Sequence, residues 1–291
     1  MHKTSIFDNF SPVSAKEWKQ KIQFELKGED YNDTLVWESP EGIKVKPFYN
    51  IEDKVKNEEN INPKWCIAQC IYVNSTENAN EKAKKELERG AESIYFIIPS
   101  EAINIEVLLK NIDLTRTSIY LNIHFLSEKY IRSILSFTKG SENIYLNLDP
   151  IGHLTRTGNW FHSWKSDFNI VQNLLNNNKA SNVLSVDIGL YQGAGANMVQ
   201  QLAYGLAHVN EYLNAFVNKS KTEFIICFNV AVGSNYFFEI AKLKALRLLW
   251  KTLSAEYNIK TPCHIITIPT SRNKTLYNFN MARCFNIVFG T

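Results

Sequence analysis

Neither sign of charge dominates this chain. Its 32 Lys and Arg face 29 Asp and Glu, a formal net charge of +3, and the basic residues are scattered, so no phosphate-tracking nucleic-acid surface is expected. Long hydrophobic runs are missing: none approaches the roughly 18 apolar residues of a membrane span, and the opening MHKTSIFDNF has no apolar stretch of the signal-peptide kind. Cysteine is sparse. Cys66, Cys70, Cys227, Cys263 and Cys284 form no CxxC pair and sit mainly in apolar runs, where a thiol behaves as a small hydrophobe. Reduced, buried thiols and a cytoplasmic setting are therefore expected. Neither GxGxxG nor GxxxxGK[ST] occurs, and neither HxH nor HExxH, which removes the commonest phosphate-loop and metal signatures. What is present is 45% apolar and 12% aromatic residues over 291 positions. That excludes a disordered, collagen-like or coiled-coil chain, and it suits one large α/β domain with an N-terminal extension as well as two medium domains.

Residues 1–62 differ from the rest. Ser14 and Glu17 form a capping box, Val13 and Trp18 hold the positions of a hydrophobic staple, and Gly28 marks a helix stop, predicting a helix over about 15–27. A short helix follows. Leu35-Val36-Trp37 and Ile43 to Tyr49 read as a hairpin around Ser39-Pro40-Glu41-Gly42, and Glu52 to Asn62 is a charged, Asn-rich linker. Such an arm is too small to own a core. Its aromatics Phe7, Phe10, Trp18, Trp37, Phe48 and Tyr49 suit burial on the main domain or on another chain.

Residues 63–291 alternate strand-like and helical stretches. The strands are expected at Cys66–Val73, Ser93–Ile98, Ser118–Phe125, Asn143–Leu148, Asn182–Ile188, Glu223–Ala231 and Cys263–Ile268. Helices are expected near 77–89, 101–111, 127–139, 160–177, 196–217, 234–257 and 273–289. This spacing is that of right-handed βα units on a parallel sheet, either a (β/α) barrel or a doubly wound sheet. In the helix over 234–257, Phe238, Ala241, Ala245, Leu248 and Leu249 share one face, with Lys244, Arg247 and Lys251 opposite. Lys242 lies near the apolar edge and needs either to snorkel or to find an acidic partner, the salt-bridged reading being favoured over a functional one.

Four places invite a chemical reading. Gly189 to Gly195 (GLYQGAG) lies between a strand and a helix, where backbone N–H groups would hold an anion or the glycines would simply allow a tight turn. His124, Asp149, His153 and His264 fall at or near strand ends, where barrel active sites are built, though isolated structural histidines account for them more simply. Asp187 sits inside an apolar strand and needs partners, whether structural or catalytic. Thr270-Ser271-Arg272 follows the last strand, suited to contacting a polar group or capping a helix. On these residues alone no convincing catalytic set emerges.

Five stretches together resemble the methylmalonyl-CoA mutases, most closely the small (beta) subunits: SAKEWKQKIQFELKG at 14–28, LVWESPEGIKVKPFYN at 35–50, GAGANMVQQLAYGLAHVNEYL at 193–213, GSNYFFEIAKLKALRLLW at 233–250 and TSRNKTLYN at 270–278. The resemblance implies an N-terminal arm that embraces a partner subunit. After it comes a TIM-type (β/α)8 barrel whose catalytic copy binds a CoA thioester along its axis beneath a cobalamin domain. Catalytic subunits carry a Tyr-His pair before the Gln-Glu-Ala-Gly-Ala stretch, and anchoring on Gln192 and Gly195-Ala196 puts Gly189 and Leu190 there. The Asp-x-His-x-x-Gly motif that ligates cobalt in the family does not occur. The resemblance therefore implies no catalytic residue and no bound cofactor in this chain, with adenosylcobalamin in the large subunit, its heterodimer partner.

Aligned by the family, Ser93–Ile98 is the first barrel strand, Cys66–Val73 an extra strand before it and Cys263–Ile268 the sixth, so about six of eight units are expected. Such an incomplete barrel exposes two strand edges. It represents either a truncated version of a longer subunit, the favoured reading, or a fold whose edges are otherwise covered. Trp18, Trp37, Phe48 and Tyr49 are the expected interface residues, since buried aromatics dominate such contacts. The alternative is a stand-alone barrel that binds a CoA thioester or another phosphate-bearing ligand at Gly189–Gly195, with Asp187, His124 or His264 moving protons. The strand residues Tyr95, Ile97, Tyr120, Tyr145 and Phe228 bear on the choice, because bulky side chains pointing inward make a packed interior rather than an open channel.

Overall fold

The capping box at Ser14 forms in the computed structural model: Glu17 N donates to Ser14 Oγ at 3.2 Å, and Ser14 N donates back to the Glu17 carboxylate at 2.8 Å. The structure describes residues 10–11, 13–50, 53, 65–139, 141–177, 182–217, 225–270 and 272. The chain divides into two units, Met1–Pro63 and Lys64–Thr291.

In the first unit, α1 (Ala15–Glu25) ends before Gly28 because Lys27 and Gly28 both take positive φ, 52° and 101°. Asp30 then caps α2 (Tyr31–Leu35), accepting from Asn32 N at 2.7 Å and Asp33 N at 3.1 Å. Leu35 consequently closes a helix rather than opening a strand. The hairpin is shorter than expected: β1 (Trp37–Glu38) pairs antiparallel with β2 (Lys44–Val45), and Gly42 N closes the turn on Ser39 O at 2.9 Å. It stops at Val45 because Lys46 N donates to the Tyr49 hydroxyl at 3.1 Å instead of to a neighbouring strand. No residue of α1 is buried.

The second unit contains all seven expected strands: β3 (Ala68–Tyr72), β4 (Ser93–Ile98), β5 (Ser118–Ile123), β6 (Ile144–Tyr145), β7 (Leu184–Asp187), β8 (Ile226–Val232) and β9 (His264–Pro269). They form parallel sheets in the orders β3-β4-β5-β6 and β7-β8-β9, joined by a parallel bridge from Leu148 to Leu184. Each strand lies beside its neighbour in sequence, without the order reversal of a doubly wound sheet.

Between the strands run α3 (Thr76–Glu88), α4 (Ile105–Leu108), α5 (Glu128–Phe137), α6 (Pro150–Thr157), α7 (Trp164–Asn177), α8 (Gly189–Gly193), α9 (Met198–Phe216) and α10 (Tyr236–Glu256). The helix expected over 101–111 shrinks to α4, with Asn104 capping its start and Asn111 at φ 61° ending the segment. The short helices α6 and α8 are additions that apolar periodicity does not reveal. The helix expected at 273–289 lies outside the described residues, as do Phe7, Ser271 and Cys284.

The period-2 geometry of the strands separates two faces. Ile94, Phe96, Ile98, Ile119 and Leu121 join a large core that includes Val171, Leu213 and Leu246 from the helices. The opposite face carries Tyr95, Tyr120, Cys227 and Ile266, with Ile97 and Tyr145 against them. Phe228, expected as a possible inward residue, points to the helix side instead, its ring centroid 5.3 Å from that of Trp250.

The apolar face expected on α10 is also corrected. Leu248 is 59% exposed, Leu249 40% and Ala241 exposed, while the buried residues are Glu239, Lys242, Leu246, Trp250 and Ser254. Apolar residues occur nearly all round this helix, so their spacing does not fix its orientation. The deciding group is the Glu239–Lys242 ion pair, 2.6 Å long and one turn apart. Arg247, expected to face solvent, donates to Cys263 O at 3.4 Å.

Candidate functional site

Parallel strands leave their C-terminal ends and the loops that follow them to build sites. Here the ends of β5, β6, β7 and β8 surround a cavity of about 220 Å³. Its lining brings together His124, Asp149, His153 and Asp187 of the expected set, and adds Tyr95, Asn147, Arg156, Ser185 and Asn229. His264 does not line it. That residue opens β9 and instead contacts the inward tyrosines, with its Nε2 3.1 Å from the Tyr120 hydroxyl and its ring 4.5 Å from that of Tyr145. Burial drives its pKa down to about 4, so it is neutral at physiological pH.

Asp149 is the hub of the site. As N-cap of α6, with Pro150 next, its Oδ1 accepts from Gly152 N at 2.8 Å. The same oxygen accepts from the Tyr212 hydroxyl at 2.6 Å and meets His208 Nε2 at 2.8 Å, while Oδ2 accepts from Asp187 N at 3.0 Å. The chain continues outward, because His208 Nδ1 lies 3.0 Å from the Tyr191 hydroxyl. Burial alone would raise the Asp149 pKa, but the charge and hydrogen bond of His208, with those of Tyr212 and Asp187 N–H, hold it below the usual carboxylate range. A Cβ at Gly152 would collide with this carboxylate, so the helix start admits only glycine there.

Asp187 behaves oppositely. Burial, then the neighbouring Asp149 charge, push its pKa up, and Arg156, 2.8 Å away, only partly offsets them. Its Oδ1 accepts from Leu190 N at 3.2 Å. Of the two readings of Gly189–Gly195, a held anion or a tight strand-to-helix turn, this contact favours the turn: the start of the five-residue helix α8 meets the chain's own carboxylate. Gly195, at φ 105°, serves the turn that follows. Burial and Arg156 lower the pKa of His124, and burial, chiefly, lowers that of His153, whose ring stacks on Phe161 at 3.7 Å.

Thr270 and Arg272 close a different junction. Thr270 Oγ1 donates to Gln192 Oε1 at 2.8 Å, and Arg272 Nη1 donates to Gln192 O at 2.9 Å. They hold α8 through Gln192.

Sequence reading missed His208, Tyr212 and Tyr191. The i, i+4 spacing of His208 and Tyr212 on α9 was a usable signal, since it sets two polar side chains on one otherwise apolar face. Nothing local ties them to Asp149, about 60 residues earlier. Among the described residues no group of three or more His, Cys, Asp or Glu is placed to hold a metal ion, and no helix is long and apolar enough to cross a membrane.

The family model described as Methylmalonyl-CoA mutase matches residues 100–284. The chain is 29% identical over 312 residues to the "Methylmalonyl-CoA mutase small subunit" of Porphyromonas gingivalis, covering 95% of this chain and 50% of that protein. It is 24% identical over 302 residues to the "Methylmalonyl-CoA mutase" of Cereibacter sphaeroides, covering 84% and 42%. To the "Methylmalonyl-CoA mutase large subunit" of Streptomyces virginiae it is 24% identical over 305 residues, covering 85% and 41%. The chain thus spans about half the length of the curated relatives it matches.

Proposed function

The chain belongs to the methylmalonyl-CoA mutase family, and from that premise we propose that it acts as a non-catalytic small subunit, or a segment of one. In this reading it supports a large subunit that interconverts methylmalonyl-CoA and succinyl-CoA with adenosylcobalamin, in the cytoplasm. The observation that carries the proposal is the filled inner face of the sheets. Tyr120 stacks on Tyr145 at 4.7 Å and Tyr145 on His264 at 4.5 Å, with Tyr95 6.2 Å from Tyr120. These rings come from β4, β5, β6 and β9, and their contact across the inner face supports an open (β/α) barrel with a packed interior. A catalytic barrel needs that axis free for its CoA ester.

The histidines among the described residues fit a corrin poorly. His208 is bonded at both ring nitrogens, His264 meets Tyr120, His162 Nδ1 lies 3.0 Å from Asp167 and His153 stacks on Phe161. The cavity beside His124, about 220 Å³, is too small for the macrocycle. These contacts support the proposal that the large subunit holds adenosylcobalamin.

The surface proposed for the partner is the first unit's aromatic set. Trp18 and Trp37 are half-exposed, Tyr49 is exposed, and Phe48 meets Trp18 edge-on at 6.2 Å. An aromatic anchor typically costs about 2 kcal/mol or more when truncated at an interface, roughly thirtyfold in affinity. Trp18→Ala with Trp37→Ala is expected to abolish co-purification with the large subunit while leaving the second unit's thermal transition in place. Undiminished co-purification would remove these residues from the interface.

A further inference from the structure

We infer that the cavity at the ends of β5 to β8 is a binding site for a small uncharged molecule bearing both hydrogen-bond donors and acceptors, a polyol or a primary amide. The inference goes beyond the subunit reading and concerns this chain alone.

Its floor is polar but unfinished. Asn147 is 4% exposed, yet its side-chain amide makes no well-formed hydrogen bond, the Tyr95 hydroxyl being near enough only to interact with it, and Asn229, 6% exposed, leaves its Oδ1 without a partner. Buried polar atoms are almost always partnered, so each such exception calls for a physical cause. Backbone conformation supplies only part of one. Asn147 sits at φ 43°, where asparagine is tolerated better than most residues, but that does not account for a poorly met amide. Asn229 lies in the middle of β8, opposite Asp187, and has no such backbone reason. Both residues line the same cavity, with the Ser185 and Tyr95 side chains beside them.

The rim sets the charge of the occupant. Arg156, the lining's guanidinium, is paired with Asp187 at 2.8 Å. Asp149 is committed to its own four contacts. His124 and His153 have lowered pKa values and stand neutral at physiological pH. Arg156 already has Asp187 as its counter-ion, which disfavours a phosphate or carboxylate, whereas the free Asn229 oxygen and the poorly met Asn147 amide suit a hydroxyl or amide. The volume, about 220 Å³, equals that of roughly seven waters at their liquid density. A molecule the size of a four-carbon polyol fits.

The test follows the side-chain amide resonances of Asn147 and Asn229 in the isotopically labelled full chain. It is titrated separately with erythritol, malonamide, inorganic phosphate and malonate. The expected result is a saturable shift of both amides with erythritol or malonamide and none with the anions, with at least tenfold weaker binding in Asn229→Leu. Should that variant lose its dispersed spectrum, Asn229→Ala is read in the same way. Saturation by phosphate or malonate alone would overturn the uncharged class. Saturation by no probe would mean a cavity that holds only water, and would overturn the site.

Discussion

Asp149→Ala is expected to lower the unfolding free energy by roughly 3–5 kcal/mol, a large share of the 5–15 kcal/mol typical of a domain. The substitution removes one acceptor and strands four donors at once: the Tyr212 hydroxyl, the His208 ring and the N–H groups of Gly152 and Asp187. His208 and Tyr212 are buried, so water does not replace what they lose. Tyr212→Phe removes a single arm of the hub, together with the contact its hydroxyl accepts from Ile151 N at 3.0 Å. It should cost about 1–3 kcal/mol. Denaturant titration of the two variants would read this ordering directly, and equal losses would mean that Asp149 is not the centre of the network.

The same carboxylate gives a pH dependence of definite sign. Its folded pKa lies below the ordinary value, so its stabilisation is complete above about 3.9, the unfolded value, and is lost as pH falls through the folded value. Asp187, with a raised pKa, acts in the opposite direction: its unfavourable contribution grows as pH rises from about 3.9 through its folded value. Asp149→Asn should therefore flatten the acid limb of the stability profile below about pH 4. An unchanged acid limb would show that other carboxylates set it.

Lys242→Ala and Glu239→Ala are each expected to cost about 3–5 kcal/mol, because each leaves the other charge buried and unpaired. Both side chains are almost wholly enclosed. Lys242 Nζ also donates to Ala231 O at 2.7 Å and to Gln201 Oε1 at 3.1 Å, and the Glu239 carboxylate accepts from Gly233 N at 2.8 Å. The pair thus ties the end of β8 to α9 and α10. Burial pulls the Lys242 pKa down, and Glu239 works against that pull. The double variant Glu239→Met with Lys242→Met should recover most of the loss, since replacing a buried pair by apolar groups of similar size is often neutral. Single variants that lose less than about 1 kcal/mol would mean that water reaches the pair.

Much of the fold was legible because its signals are local. Strand runs such as Ser93–Ile98 have the same bounds in sequence and structure, since five consecutive apolar or aromatic residues between turn signals admit little else. The capping box at Ser14 and the stop near Gly28 read equally well. What failed was decided at a distance. The orientation of α10 depends on Glu239 and Lys242 pairing with each other and with groups on β8 and α9, so a count of apolar residues turned the helix the wrong way. The site divided in the same manner. Asp149, Asp187, His124 and His153 were identifiable as polar groups at strand ends, whereas the partners that fix their charge come from α6 and α9. Gly189–Gly195 left an anion and a tight turn both open because the group that meets Leu190 N, the Asp187 carboxylate, belongs to the preceding strand.

The subunit role is tested most directly by co-expressing the chain with the large mutase subunit of the same organism, then measuring the mass of the purified species and its mutase activity. The account predicts a one-to-one complex that interconverts the two CoA esters, and no such activity from this chain alone with added adenosylcobalamin. Separate elution of the two chains at micromolar concentration, or turnover by this chain alone, would contradict it.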